Sequence, residues 1–245
     1  MTLFPRSSNG ASVFSTSNGF RLTIPASSKS EYRLAQMDDY ARLPRRAFSA
    51  RSPLTFSLRA RASSESIPGT WGFGLWNDPF SLSLGFGGNP FRLPILPNAI
   101  WFFHASEKNY LSFRDDKPAQ GFLAQSFSSP SFHPLLLPIG LTFPFSMKKA
   151  RQLLSRIVEE DSSTVSTDVT QWHSYRFEWS PNRSAFWVDD VPVLDTPVSP
   201  RPPLGLVIWI DNQYAAFTPQ GKIKWGLEKN LIEAWLEIEN VELNR

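Results

Sequence analysis

Prolines set the strongest limit on what this chain can fold into: 21 of them are spread through 245 residues. Each fixes its own φ and removes a backbone donor, so helices and central strands must fit between them. What lies between is mostly short runs of β type. Phe20-Arg21-Leu22-Thr23-Ile24 alternates and stops at Pro25, and Pro53 to Ala62 places Leu54, Phe56 and Leu58 on one face. After Pro68-Gly69 the chain resumes with an aromatic strand from Thr70 to Asn77, and short runs follow at Ala99 to Phe103 and Tyr110 to Phe113. Tyr175 to Trp179 and Ala185 to Val188 flank Ser180-Pro181-Asn182-Arg183, a hairpin turn by composition. Leu204 to Asp211 is a continuous apolar run of buried-strand type. Ala234 to Leu243 alternates, but Leu236 and Ile238 share parity with Asn240 while Leu243 falls with Val241. A bulge or a strand end near Asn240 reconciles the two halves.

Two stretches depart from this pattern. Residues 1–17, rich in Ser, Asn and Gly, read as a flexible tail, leaving 18–245 as a single β-sandwich domain. Ser146 to Asp161 has apolar residues at 147, 150, 154, 157 and 158, the spacing of an amphipathic helix over about 147–160 with Ser146 as N-cap. Its charges oppose the helix dipole: Lys148, Lys149 and Arg151 at the start, Glu159, Glu160 and Asp161 at the end. With the four prolines of Ser126 to Phe145, this makes a loop-plus-helix insertion at about 126–165, of the kind that rims binding sites.

Composition excludes several classes. Hydrophobic residues are 41% and charged residues 19%, enough to bury a core and too apolar for a disordered chain. No apolar run approaches the ~18 residues of a membrane span. The N-terminus lacks a basic start followed by an apolar core, so a cytoplasmic location is expected. A net charge of +3 is too small an excess to indicate nucleic acid. Zero cysteines exclude disulfides and thiolate chemistry. Three dispersed histidines offer no zinc spacing, and the pairs Asp38-Asp39, Asp115-Asp116 and Asp189-Asp190 diverge along the chain. No metal and no cofactor are expected, with a structural calcium left open. Neither a Gly-rich phosphate loop nor a G-x-S-x-G elbow occurs. Arg42, Arg45, Arg46, Arg51, Arg59 and Arg61 form a local basic excess, read either as a stripe through Arg59 and Arg61 or as solvated surface.

Three passages, taken in order, resemble one family. Gly69-Thr70-Trp71 leading to Trp76 is similar to the G-x-W segment of glycoside hydrolase family 16. Trp172-His173-Ser174-Tyr175-Arg176-Phe177-Glu178-Trp179, followed by Phe186-Trp187-Val188-Asp189-Asp190, resembles that family's W-H-x-Y-x-x-x-W and F-Y-V-D-G hairpin. Trp235 to Leu243 sits where those proteins close with a V-D-Y-V-R-V-type strand. The resemblance implies an all-β, concanavalin A-like jelly roll of two antiparallel sheets, one forming a glycan cleft. It also implies an E-x-D-x-x-E catalytic motif on the strand after G-x-W. Pro97-Asn98-Ala99-Ile100-Trp101-Phe102-Phe103-His104 stands there and contains no Asp or Glu. A retaining mechanism needs two carboxylates about 5–5.5 Å apart, so hydrolysis is not carried over.

The remaining candidates come from parity. Leu204 to Tyr214 puts Val207, Trp209, Asp211 and Gln213 on one face of a strand. A ring beside a carboxylate and an amide can hold a flat ligand with polar edges; the alternative is that Trp209 is core and Asp211 starts a turn. Trp101 and His104 have opposite parity, and a one-residue bulge would bring them together. The ligand-binding candidates are therefore Trp76, Trp101, His104, Trp209, Asp211 and Gln213. Asp211 and His104 would be the acid or base if a reaction occurs. His173 is read as scaffold, and His133 has no visible partner. Three functions stay open: a non-hydrolytic binding module for a glycan or apolar small molecule, an enzyme acting on a compact apolar substrate (cyclase or isomerase type), and a protein-interaction scaffold. Burial of Trp76, Trp101, Trp209 and Trp225 separates them. The oligomeric state is not legible.

Overall fold

The computed structural model describes residues 2–79, 95–130 and 146–245. The chain forms two seven-stranded antiparallel sheets packed face to face, a jelly-roll sandwich. The first sheet runs β1 (Phe4–Ser8), β4 (Leu34–Asp38), β13 (Gly205–Asp211), β6 (Thr70–Trp76), β7 (Ala99–Ala105), β8 (Gly121–Ser128) and β9 (Glu159–Thr164). The second runs β12 (Val191–Thr196), β11 (Arg183–Val188), β10 (His173–Ser180), β5 (Leu54–Ala62), β16 (Ala234–Asn244), β3 (Gly19–Ile24) and β2 (Ser12–Ser15). A separate hairpin joins β14 (Gln213–Phe217) to β15 (Ile223–Leu227).

The two sheets differ in what their outer faces meet. Along β5, buried residues alternate with half-buried ones, because one face enters the core and the other meets solvent. Every residue of β7 and β13 is buried, so the first sheet is covered on both sides. Between the sheets lie Trp71, Phe73, Ile100, Phe102, Tyr175, Phe177 and Phe186. On the outer face of the first sheet a second apolar cluster collects Trp101, Phe103, Phe127, Val207 and Trp209, with Tyr40, Phe48 and Val158 packed over it.

Several expectations are corrected. Residues 4–15 are not a tail: β1 pairs with β4 and β2 with β3, because edge backbone groups left open by those strands recruit them. The helix, α1 (Met147–Ile157), is capped by the Ser146 hydroxyl but ends before the acidic run. Glu159, Glu160 and Asp161 instead open β9, where pairing with β8 satisfies their backbone and Glu160 accepts from the Gln125 side chain at 3.2 Å. Among the described residues Tyr110 to Phe113 makes only one bridge, Tyr110 to Ala216, because the Ser112 hydroxyl turns the chain through Arg114. Residues 131–145, including His133, lie outside the described residues.

Other expectations match. The register between β16 and β5 shifts between Glu239 and Glu242, and Asn240 there has φ 53°, a bulge. His173 is scaffold: Nδ1 contacts Asp189 Oδ2 at 2.5 Å and Nε2 the Asp168 carbonyl at 3.0 Å. The arginine stripe is neutralised. Arg61 bonds Glu237 at 2.7 Å and Arg59 bonds Glu239 at 3.3 Å, while both lie over Trp172.

Candidate functional site

The outer face of the first sheet is built on two glycines. Along β6, Trp71, Phe73 and Leu75 point into the core, so Thr70, Gly72, Gly74 and Trp76 face outward. A Cβ on Gly72 would meet the Trp209 ring at 2.9 Å, and one on Gly74 would meet Trp101 Cβ at 2.6 Å. The bare backbone of β6 is therefore the floor on which rings from β13 on one side and β7 on the other come together. Trp101 and Trp209 sit 5.6 Å apart, Trp76 lies 5.9 Å from Trp101 and 6.3 Å from Trp209, and Phe103 stacks on both at 5.3 and 5.8 Å. Only 7% of Trp101 and 8% of Trp209 remain exposed.

The indole donors lead to two buried carboxyls. Trp209 Nε1 donates to Thr70 Oγ1 at 3.0 Å, and that hydroxyl donates to Asp211 Oδ1 at 2.8 Å. Burial pushes the Asp211 carboxyl from 3.8 up to about 7, against the downward pull of hydrogen bonds from Thr70, the Gln213 N–H and Tyr32. On the other flank, Trp101 Nε1 donates to Gln125 Oε1 at 3.0 Å, and Gln125 Nε2 donates to Glu160. Glu160 is also raised by burial, although Ser112, the Phe113 N–H and Gln125 all donate to it.

The face is walled in. Tyr40 packs against Phe48 at 5.0 Å and Trp76 at 6.1 Å on one side. On the other, α1 lays Ala150, Leu153 and Ile157 against Leu96, which also touches the aromatic cluster. The buried Arg151 pins this helix: Nη1 reaches Asp115 at 2.6 Å, Nη2 the Ser112 carbonyl at 3.0 Å and Nε the Phe217 carbonyl at 3.0 Å.

Of the residues singled out from the sequence, the structure brings together Trp76, Trp101, Trp209 and, through Thr70, Asp211. His104 goes elsewhere. The β7 register runs without a bulge against both β6 and β8, so His104 keeps its parity with Ile100 and Phe102 and points into the core. There it stacks on Trp71 at 5.3 Å, and burial lowers its pKa from 6.5 to about 4. β13 ends at Asp211, so Gln213 belongs to the hairpin and reaches the site only through its N–H, 3.2 Å from Asp211 Oδ1. Trp225 is 57% exposed on β15, away from the other rings. Sequence reading missed Phe103, which shares the parity of Trp101 and was findable from it. It also missed Thr70, Gln125 and Glu160, whose partners come from other strands and leave no local signal.

Asp211 cannot act as a pair with Glu160 or with Asp38. Asp211 and Glu160 lie on strands four places apart, ~19 Å at ~4.8 Å per strand. Asp38 on β4 faces Val207, four residues along from Asp211, ~13 Å away. Glycosidase pairs need about 5–5.5 Å or 6.5–9.5 Å. Glu228, at the end of the sheet, has one oxygen on the Gly69 N–H and Ser106 and the other on Lys108 at 3.1 Å. Among the described residues no group of His, Asp and Glu could hold a metal ion.

No protein-family model matches the chain, and no curated protein matches it. Solved structures do. A glycoside hydrolase family 16 endo-glucanase from Bacteroides ovatus aligns with TM-score 0.50 at 10% identity, covering 96% of this chain and 94% of that one. The kappa-carrageenase from Zobellia galactanivorans aligns with TM-score 0.51 at 12% identity, covering 91% and 77%. At such identities the likeness speaks for the fold and not for the activity. The chain has the two-sheet jelly-roll fold of these two enzymes.

Proposed function

We propose that this protein is a non-hydrolytic binding protein whose site is the outer aromatic face of the first sheet. The observation that carries the reading is what stands on that face: the packed Trp101 and Trp209 indoles with hydrogen-bonded edges, and buried Asp211 and Glu160 on opposite flanks, four strands apart. Indole faces take up flat apolar surfaces, and the Thr70, Gln125 and Asp211 groups beside them suit a ligand with polar edges, a sugar ring or a compact apolar molecule. The rings now fill their own site, so a ligand enters by displacing Trp76, the half-buried member. This closure favours a short or compact ligand over a long polymer threaded through an open groove.

One observation supports a second reading, an enzyme working on a compact apolar substrate. Asp211 lies in an apolar setting with its carboxyl near 7, where an acid or base is best poised at neutral pH. A thermal-shift screen of oligosaccharides and hydrophobic metabolites, followed by calorimetry, tests binding. A hit should weaken in Trp209→Phe, which keeps a ring but removes the donor to Thr70. A hit unaffected by Trp209→Phe and Trp101→Phe would place the site elsewhere. Release of reducing sugar from laminarin by the purified chain would overturn the non-hydrolytic reading. Turnover of a bound metabolite that vanishes in Asp211→Asn would favour the enzyme.

A further inference from the structure

Among the described residues β15 has one paired edge and one open edge. Its only strand partner among them is β14, and Lys222, Ile223, Lys224 and Trp225 are all exposed. The backbone direction is fixed by contacts on the far side of β14. Tyr110 N–H donates to the Ala215 carbonyl at 2.9 Å, and Phe217 N–H donates to the Tyr110 carbonyl at 3.0 Å. Ala215 and Phe217 thus turn their backbone groups away from β15. Their cross-strand partners, Trp225 and Ile223, turn theirs outward as well, in the non-hydrogen-bonded pairs of an antiparallel ladder. The open edge therefore presents the N–H and C=O of Ile223 and Trp225, flanked by a tryptophan that is 57% exposed and an isoleucine that is 37% exposed.

The surroundings carry one sign of charge. The turn before β15 abuts the start of α1: a Cβ on Gly221 would meet Lys148 Cα at 2.8 Å. Exposed Lys148 and Lys149 therefore stand beside Lys222 and Lys224, and the first turn of α1 holds no acidic residue. None of these four lysines makes an ion pair among the described residues; the nearest helix cation that does, Arg151, uses Asp115. Lysine on an edge strand is a common guard against self-pairing. That role leaves unexplained the exposed Trp225 and Ile223 and the two lysines contributed by α1.

We propose that the open edge of β15 docks an extended acidic peptide segment of a partner protein. The peptide adds as a strand, its backbone pairing with Ile223 and Trp225. An apolar side chain lies on the Trp225 ring, and its carboxylates meet Lys148, Lys149, Lys222 and Lys224. The unsatisfied edge supplies the main-chain bonds and the lysines supply the sign.

Fluorescence anisotropy on the full chain tests this with a labelled peptide of alternating glutamate and valine, and a lysine–valine peptide as control. Only the acidic peptide should bind, and binding should weaken as ionic strength rises from ~0.05 M to ~0.5 M. Ile223→Pro removes an outward N–H while sparing the β14 ladder, and should bind at least about tenfold more weakly than Ile223→Ala, which keeps it. Lys222→Glu with Lys224→Glu, both on exposed side chains, should lose binding without changing the melting temperature. Equal binding by Ile223→Pro and Ile223→Ala would overturn strand addition in favour of a merely cationic surface. So would pelleting of the chain with phosphatidylserine vesicles in the absence of any peptide affinity.

Discussion

Asp211→Asn should make this protein more stable in mild alkali, and the structure gives the size of the effect. The native carboxyl is held near 7 by burial, against 3.8 in the unfolded chain. Below pH 3.8 both states carry the proton and burial costs nothing. Between 3.8 and about 7 the unfolded chain releases its proton while the native state keeps it, so stability falls as pH rises. Above pH 7 the loss is complete: about three pH units at ~1.4 kcal/mol each, about 4 kcal/mol. Asparagine is isosteric, carries no charge, and its oxygen still accepts from Thr70 and the Gln213 N–H. Urea unfolding of both proteins from pH 4 to pH 8.5 isolates the residue, since Glu160 and His104 cancel in the difference. The mutant should gain on the wild type up to about pH 7 and then level off, about 4 kcal/mol ahead. Parallel profiles would show that Asp211 titrates normally and that the face is wet, not buried.

Three further outcomes follow from the same packing. His104→Gln should flatten the acid limb: with the native pKa near 4 and the unfolded one at 6.5, stability now present above pH 6.5 is lost as pH falls toward 4, about 3 kcal/mol by denaturant titration. Gly74→Ala places a Cβ 2.6 Å from that of Trp101 and should cost about 1–3 kcal/mol, read as a lowered melting temperature. Arg151→Met leaves the Ser112 and Phe217 carbonyls without their donor, a loss of about 1–3 kcal/mol, and should speed amide exchange in α1 before the sheets open.

The sandwich was legible because its signals are local. Alternation in Leu54 to Ala62, the unbroken apolar run into Asp211 and the parity slip at Asn240 each concern neighbours in one strand, and each reappears as read. The acidic run after α1 misled because charge along a helix and charge along an edge strand look alike until β8 is alongside.

From the sequence alone came β3, β5, β6, β7, β10, β11, β13 and β16, the wealth of rings and the lack of any carboxylate in Ala99 to Ala105. Whether those rings would meet was settled by strand order. β13, β6 and β7 are neighbours although well over a hundred residues separate β6 from β13, and only in that order do Trp209 and Trp101 lean over Gly72 and Gly74 from either side. The same non-local pairing sent His104 inward and buried Asp211 beneath its partners. Parity can say which residues share a face, but the face's cover, and hence its dielectric, belongs to elements that come from elsewhere in the chain.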